Sequence, residues 1–78
     1  MRQIEKNMNI KDLLEGEQRI ISHFTDELIG GKLMTMGLKP GCIVEVIRKT
    51  NRNRTYYLKS NSNRLAIREN EAATIELK

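Results

Sequence analysis

Apolar positions in this chain fall into short, separated runs rather than one long stripe. Gln18 to Phe24 alternates imperfectly and reads as a first strand. Cys42-Ile43-Val44-Glu45-Val46-Ile47-Arg48-Lys49 is β-branched and free of breakers, the clearest strand in the sequence. Its alternation puts Val44 and Val46 on one face and Ile43, Glu45 and Ile47 on the other. Thr55 to Lys59 returns as its partner across a polar tip, Thr50 to Arg54. Asn61-Ser62-Asn63 is a second turn, because Asn tolerates the left-handed conformation. Arg64 to Ile67 and Thr74 to Leu77 are short strands, the last with Ile75 and Leu77 on one face. Arg68 to Ala73 fits a single helical or 3₁₀ turn. Ahead of them all, Asn9 to Leu14 is a lead-in with Leu13 or Leu14 tucked under, and Glu15-Gly16-Glu17 is a turn.

Between the first two strands the period changes. Thr25 or Asp26 can cap a helix over about Asp26 to Met36, with Asp26 and Glu27 at its positive end. Leu28 or Ile29, then Leu33 and Met36, form its buried stripe. Gly30 and Gly31 inside it imply close backbone approach or a helix broken into two turns. Gly37 is placed to close the helix in the left-handed region. Lys39-Pro40-Gly41 then suits a type II turn, with Pro fixing φ at the second position and Gly supplying positive φ at the third. The segment is a corner that leads a helix into a strand. About five short strands with tight turns, plus one short α-helix in the first half, must hide an apolar face and close their edges. A small, mostly β, partly open barrel does both.

Length and composition narrow the reading. Seventy-eight residues allow one domain with a small core. No apolar stretch approaches the roughly 20 residues of a membrane helix, so no membrane insertion is expected. Residues 1–7 lack an apolar signal-like region and read as a flexible extension, with the folded unit spanning 8–78. One cysteine, Cys42, allows no internal disulfide. A reducing, cytoplasmic setting follows as the expectation.

Charge is unevenly spread. The net charge is +4, yet residues 46–68 carry seven basic side chains and no acid, which leaves −3 for the rest. The ribbon's cations are either a solvated, edge-blunting surface or a face for an acidic partner.

The order and spacing of several pieces carry a resemblance. They are Leu13 and Gly16, Leu33-x-x-Met36-Gly37-Leu38-x-Pro40-Gly41, Val44-x-Val46, Leu65-Ala66-Ile67-Arg68, Glu71-Ala72 and Ile75. From about Met8 to Leu77 the chain resembles the ferrous iron transport protein A family (FeoA). The tip from Asn51 to Thr55 is shorter than that family's Gly-Asp-Pro-like bend, and Ser62 stands where many members carry Gly. The resemblance implies an SH3-like barrel and an accessory role in ferrous iron transport. It also implies a partner, the large GTP-hydrolysing membrane iron permease (FeoB). The same domain type also occurs fused to metal-responsive repressors.

Chemistry is sparse. His23 and Cys42 lie on different elements, and Glu69 and Glu71 are two apart, which does not bring them together on a helix. A dedicated metal site is therefore not expected, nor a cofactor, beyond a weak association with Fe²⁺. Cys42 has no evident base and reads as a packing residue. No phosphate-binding loop is present, and no enzyme activity is expected. Met36 reads as core and Met34 as exposed. Of Tyr56 and Tyr57, adjacent on a strand, one can face solvent and the other the core.

The sequence thus points to a non-catalytic protein-binding module. Its expected contact residues are Met34, Leu38 and Lys39 at the corner, and Arg48, Arg52, Arg54, Arg64 and Arg68 on the ribbon. The alternative is a nucleic-acid or transcription-regulatory module using the 46–68 ribbon, although a single exposed tyrosine makes nucleic acid the weaker partner. A homo-oligomer joined through edge strands is a third reading.

Overall fold

A computed structural model describes residues 8–52 and 54–78. The expectation for residues 1–7 lies outside them, as does Asn53 of the hairpin tip. Six strands form one antiparallel sheet: β1 (Met8–Asn9), β2 (Gln18–Phe24), β3 (Ile43–Thr50), β4 (Thr55–Ser60), β5 (Asn63–Arg68) and β6 (Ile75–Leu77). Their order is β1-β6-β2-β3-β4-β5. Helix α1 (Glu27–Thr35) joins β2 to β3, and the short α2 (Glu69–Ala72) joins β5 to β6. The result is the expected small SH3-like barrel. The sequence reading missed β1, whose two residues pair with Leu77 and Glu76 of β6. So short a strand has no periodicity of its own to detect.

The sheet curls because β2 serves two neighbours. It pairs with β3 through Gln18, Arg19 and Ile20, and with β6 through Ile21, His23 and Phe24. A register shift between Ile21 and His23 lets it bend from one half to the other. The inward faces meet in one core that includes Ile10, Leu13, Ile21, Leu33, Val44, Val46, Leu58, Ile67 and Ile75. Leu13, not Leu14, supplies the tucked lead-in residue. A 3₁₀ turn (Ile10–Asp12) aims it inward, capped by Asn9 Oδ1 accepting from the Lys11 amide at 2.8 Å. Each such aliphatic side chain contributes about 1.5–3 kcal/mol when fully buried.

Asp26 caps α1, its Oδ1 accepting from the Ile29 amide at 2.9 Å. The helix is continuous through Gly30 and Gly31. Close approach explains Gly30 alone: a Cβ there would sit 2.8 Å from Phe24 Cβ, whereas one on Gly31 would meet nothing within 4 Å. At the far end, the Gly37 amide donates to Met34 O at 3.1 Å and the Leu38 amide to Leu33 O at 3.0 Å. Gly37 has φ +102°. These two bonds form a Schellman closure, which brings the residue after the glycine back onto the helix. The type II turn follows as expected, with the Cys42 amide donating to Lys39 O at 3.1 Å.

One expectation for this helix is corrected. Met36 is 36% exposed and is not core. It sits at the C-cap, where the chain leaves the helical path before the stripe reaches it. Of the alternatives Leu28 and Ile29, Ile29 packs inward and Leu28 is exposed, so the inward stripe is Ile29, Gly30 and Leu33, extended by Leu38.

Candidate docking surface

The corner and the ribbon, expected to work together, have separate roles. Leu38 is fully buried (0% exposed). It packs in the core with Leu33 because the Schellman closure folds it there, so it cannot meet a partner while the fold is intact. Met34 stays 44% exposed, and Lys39 is exposed beside the turn. The sequence did hold a signal for Leu38: an apolar residue immediately after a helix-closing glycine packs on the last turn.

The ribbon is built differently. Along β3, Val44 and Val46 point inward and Ile43 and Glu45 outward, as the alternation requires. After Val46 the register with β4 shifts: Val46 faces Leu58, yet Arg48 faces Tyr57. Two side chains now occupy the space of one. Ile47 is 36% exposed and Arg48 is exposed beside it, so the strand presents an apolar and a cationic group together. Past the shift, Lys49 returns inward. Its Nζ lies 5.7 Å from the centroid of the Tyr56 ring and donates to Lys11 O at 3.1 Å.

The tyrosine pair divides as expected. Tyr56 packs against the core. Tyr57, 39% exposed, faces outward opposite Ala66 of β5, a side chain too short to cover it. Arg64 lies one outward position further along β5, opposite Lys59 of β4. Ile47, Arg48, Tyr57 and Arg64 together line a shallow hollow of about 260 Å³.

The five ribbon arginines are all exposed, but they are not equivalent. Arg54 Nη1 lies 3.4 Å from Glu69 Oε1, and Lys11 reaches Glu69 Oε2 at 3.6 Å. Arg54 is thereby drawn toward α2. Among the described residues, Arg48, Arg52, Arg64 and Arg68 make no ion pair. The reason is visible in where the acids go. Asp12, Glu15, Glu17, Asp26 and Glu71 each accept a backbone amide, from Asn9, Lys49, Leu14, Ile29 and Arg68 respectively. These backbone contacts engage five of the carboxylates, while the guanidinium groups of Arg48, Arg52 and Arg64 have no acidic partner among the described residues. Glu71 also meets Lys32 at 2.6 Å, and this bond, with the Arg68 amide, holds its carboxyl below the usual carboxylate range.

Reactive chemistry is not assembled. His23 is exposed with Nδ1 3.0 Å from Ser22 Oγ, and Cys42 is half-buried with Asn61 Nδ2 4.0 Å from its sulfur. Among the described residues no three His, Cys, Asp or Glu side chains converge as metal ligands. No helix there is long and apolar enough to cross a membrane.

With this geometry established, comparison with known proteins decides the family. The FeoA domain model matches residues 8–78. The chain belongs to the FeoA family. Its role thereby lies in ferrous iron transport, and its domain is a small accessory one. Among curated proteins nothing matches. Solved structures share the fold. The FeoA protein of Chlorobium tepidum superimposes with a TM-score of 0.80 at 24% identity, covering 90% of this chain and 68% of that one. The zinc-complexed FeoA of Stenotrophomonas maltophilia, described as a prokaryotic SH3 domain protein, gives 0.76 at 17%, covering 91% and 89%. A manganese-dependent transcriptional repressor gives 0.84 at 9%, covering 96% of this chain and 37% of that one. At these identities the likenesses speak for the fold alone.

Proposed function

We propose that this FeoA-family chain is a cytosolic, non-catalytic module that modulates a GTP-hydrolysing membrane iron permease (FeoB) by direct protein contact. The observation that carries this reading is the outward hollow at the β3 register shift. It joins two exposed apolar groups to two guanidinium groups that have no acidic partner among the described residues, a composition suited to protein contact. Met34 and Lys39 on the corner, and Arg52 and Arg68 on the ribbon, extend the exposed surface around the barrel. Fe²⁺ in this reading is the cargo of the permease and is not held by the module.

A pull-down against the permease's cytosolic GTPase region, with and without a GTP analogue, tests the proposal. Saturable retention is expected. Absence of retention at high micromolar concentration in both nucleotide states would sink it.

The second reading, a regulatory or nucleic-acid-binding module, is supported by the shared fold with a metal-dependent repressor and by the basic ribbon. Phosphate contacts would make affinity for DNA or RNA fall steeply and linearly in log–log form with salt. A salt series with both nucleic acids separates the two readings.

A further inference from the structure

The hollow has features that specify its occupant more narrowly than a general docking face. We infer that the outer face of β3–β5 captures an acidic segment of a partner protein. One bulky apolar residue of that segment sits between Ile47 and Tyr57, and flanking carboxylates meet Arg48 and Arg64. This rests on the reading of the chain as a protein-binding module and names the chemistry of the bound segment.

Size comes first. At about 260 Å³ the hollow falls just below the range of pockets that enclose a whole small molecule. It accommodates one large side chain. Its apolar walls come from Ile47 on β3 and Tyr57 on β4, and Ala66 on β5 leaves the Tyr57 ring uncovered. Burial of an apolar anchor there removes two exposed hydrophobic groups from water.

Charge comes second. Arg48 and Arg64 are both among the residues lining the hollow. A guanidinium presents a planar fork that matches a carboxylate, and neither group has an acidic partner among the described residues. The acid on this face of β3, Glu45, is engaged by Gln18 Nε2 at 3.2 Å and lies opposite Lys59. The surface is therefore complementary to an anionic chain with an apolar residue in it.

A single nucleic-acid strand fits less well. Such strands bind along a series of aromatic platforms beneath a cationic track. Here Tyr56 is turned inward, which leaves Tyr57 as the aromatic on this face among the described residues.

The experiment is a fluorescence-anisotropy titration of the full chain with labelled peptides. The probe is a short peptide of alternating Glu and Asp with one central Phe. Saturable binding is expected, with affinity falling about tenfold when Phe is replaced by Ser. The Arg48→Glu, Arg64→Glu double variant is expected to bind about tenfold more weakly or worse, while Lys78→Glu, an exposed cation after β6 and outside the hollow, stays within about twofold. Both variants change exposed groups, and a thermal melt confirms that each is folded. Equal losses in the Lys78 variant and the double variant would overturn the inference, since they would indicate unspecific charge attraction. Tighter binding of an oligothymidylate of similar length would overturn it in favour of nucleic acid. If the double variant loses the peptide yet still retains the permease's GTPase region, this inference falls and the permease reading stands. If the peptide binds through the arginine pair and the GTPase region does not bind at all, the permease reading falls and this inference stands.

Discussion

The corner between α1 and β3 and the outer face of the β3–β5 ribbon are both rich in the residues that distinguish this chain, but they spend them in opposite ways. In the corner nearly every polar group is satisfied internally. Gly37 and Leu38 close the helix, the Gly41 amide donates to Ile21 O at 2.8 Å, and Cys42 closes the turn. In the ribbon the backbone is paired, while Tyr57 is exposed and Arg48 and Arg64 project with no acidic partner among the described residues. A recognisable motif can therefore be pure architecture, and the surface with capacity for a partner can lie in a segment with no motif at all.

That contrast can be broken most sharply at Leu38. Truncation to Ala should cost about 3 kcal/mol, by lost burial and a residual cavity. A domain of this length has roughly 5–10 kcal/mol in total, so urea denaturation should show a large drop in midpoint. Wild-type stability in this variant would mean that Leu38 is not anchored and could serve a partner after all.

Gly37→Ala comes next, at about 2 kcal/mol, because an L side chain is strained at φ +102°. Its new Cβ would also crowd Asn63 Nδ2, a mobile group that can move aside. Asp26→Ala should cost about 1 kcal/mol through the lost cap, read by the same denaturation.

Glu71 gives a smaller, pH-dependent effect. Its carboxyl titrates lower in the folded chain than the ordinary 4.5, first because of Lys32 and then the Arg68 amide. The stabilisation is thus present above about pH 4.5 and fades as pH falls through the depressed folded value. Glu71→Gln should flatten that part of the stability profile while keeping the acceptor for the Arg68 amide. A variant profile identical to wild type would remove Glu71 from the acid response.

The smallest stability effect belongs to the ribbon. Arg48→Ala with Arg64→Ala should change unfolding free energy by no more than about 0.5 kcal/mol. A larger loss would show that these side chains support the fold, and the contrast between the two regions would fail.

Much of this architecture was legible in the amino-acid order. Strand β2 was expected at the residues where it occurs, Asp26 was one of two cap candidates, and the Gly37 closure and Lys39–Cys42 turn follow from local chemistry. Local rules fail where long-range pairing decides. Strand β1 exists because β6 is there to pair with it, and Met36 is exposed because the helix ends one residue before it. The candidate docking surface was half legible. Exposed arginines and one outward tyrosine could be read from alternation, but the register shift at Ile47 cannot, since it depends on how β4 lies against β3. Leu38, expected as a contact residue beside Met34, is buried because the Schellman closure folds it onto Leu33.

Strand β2 draws its second neighbour from the far end of the sequence. As the chain folds, β3 can pair with β2 and β4 with β3 through short connections, but the opposite flank of β2 stays bare until Ile75 to Leu77 join it. Such distant pairing slows closure. Until then the half-made barrel carries an open, hydrogen-bonding flank at β2, a ready edge for misjoining with a neighbour.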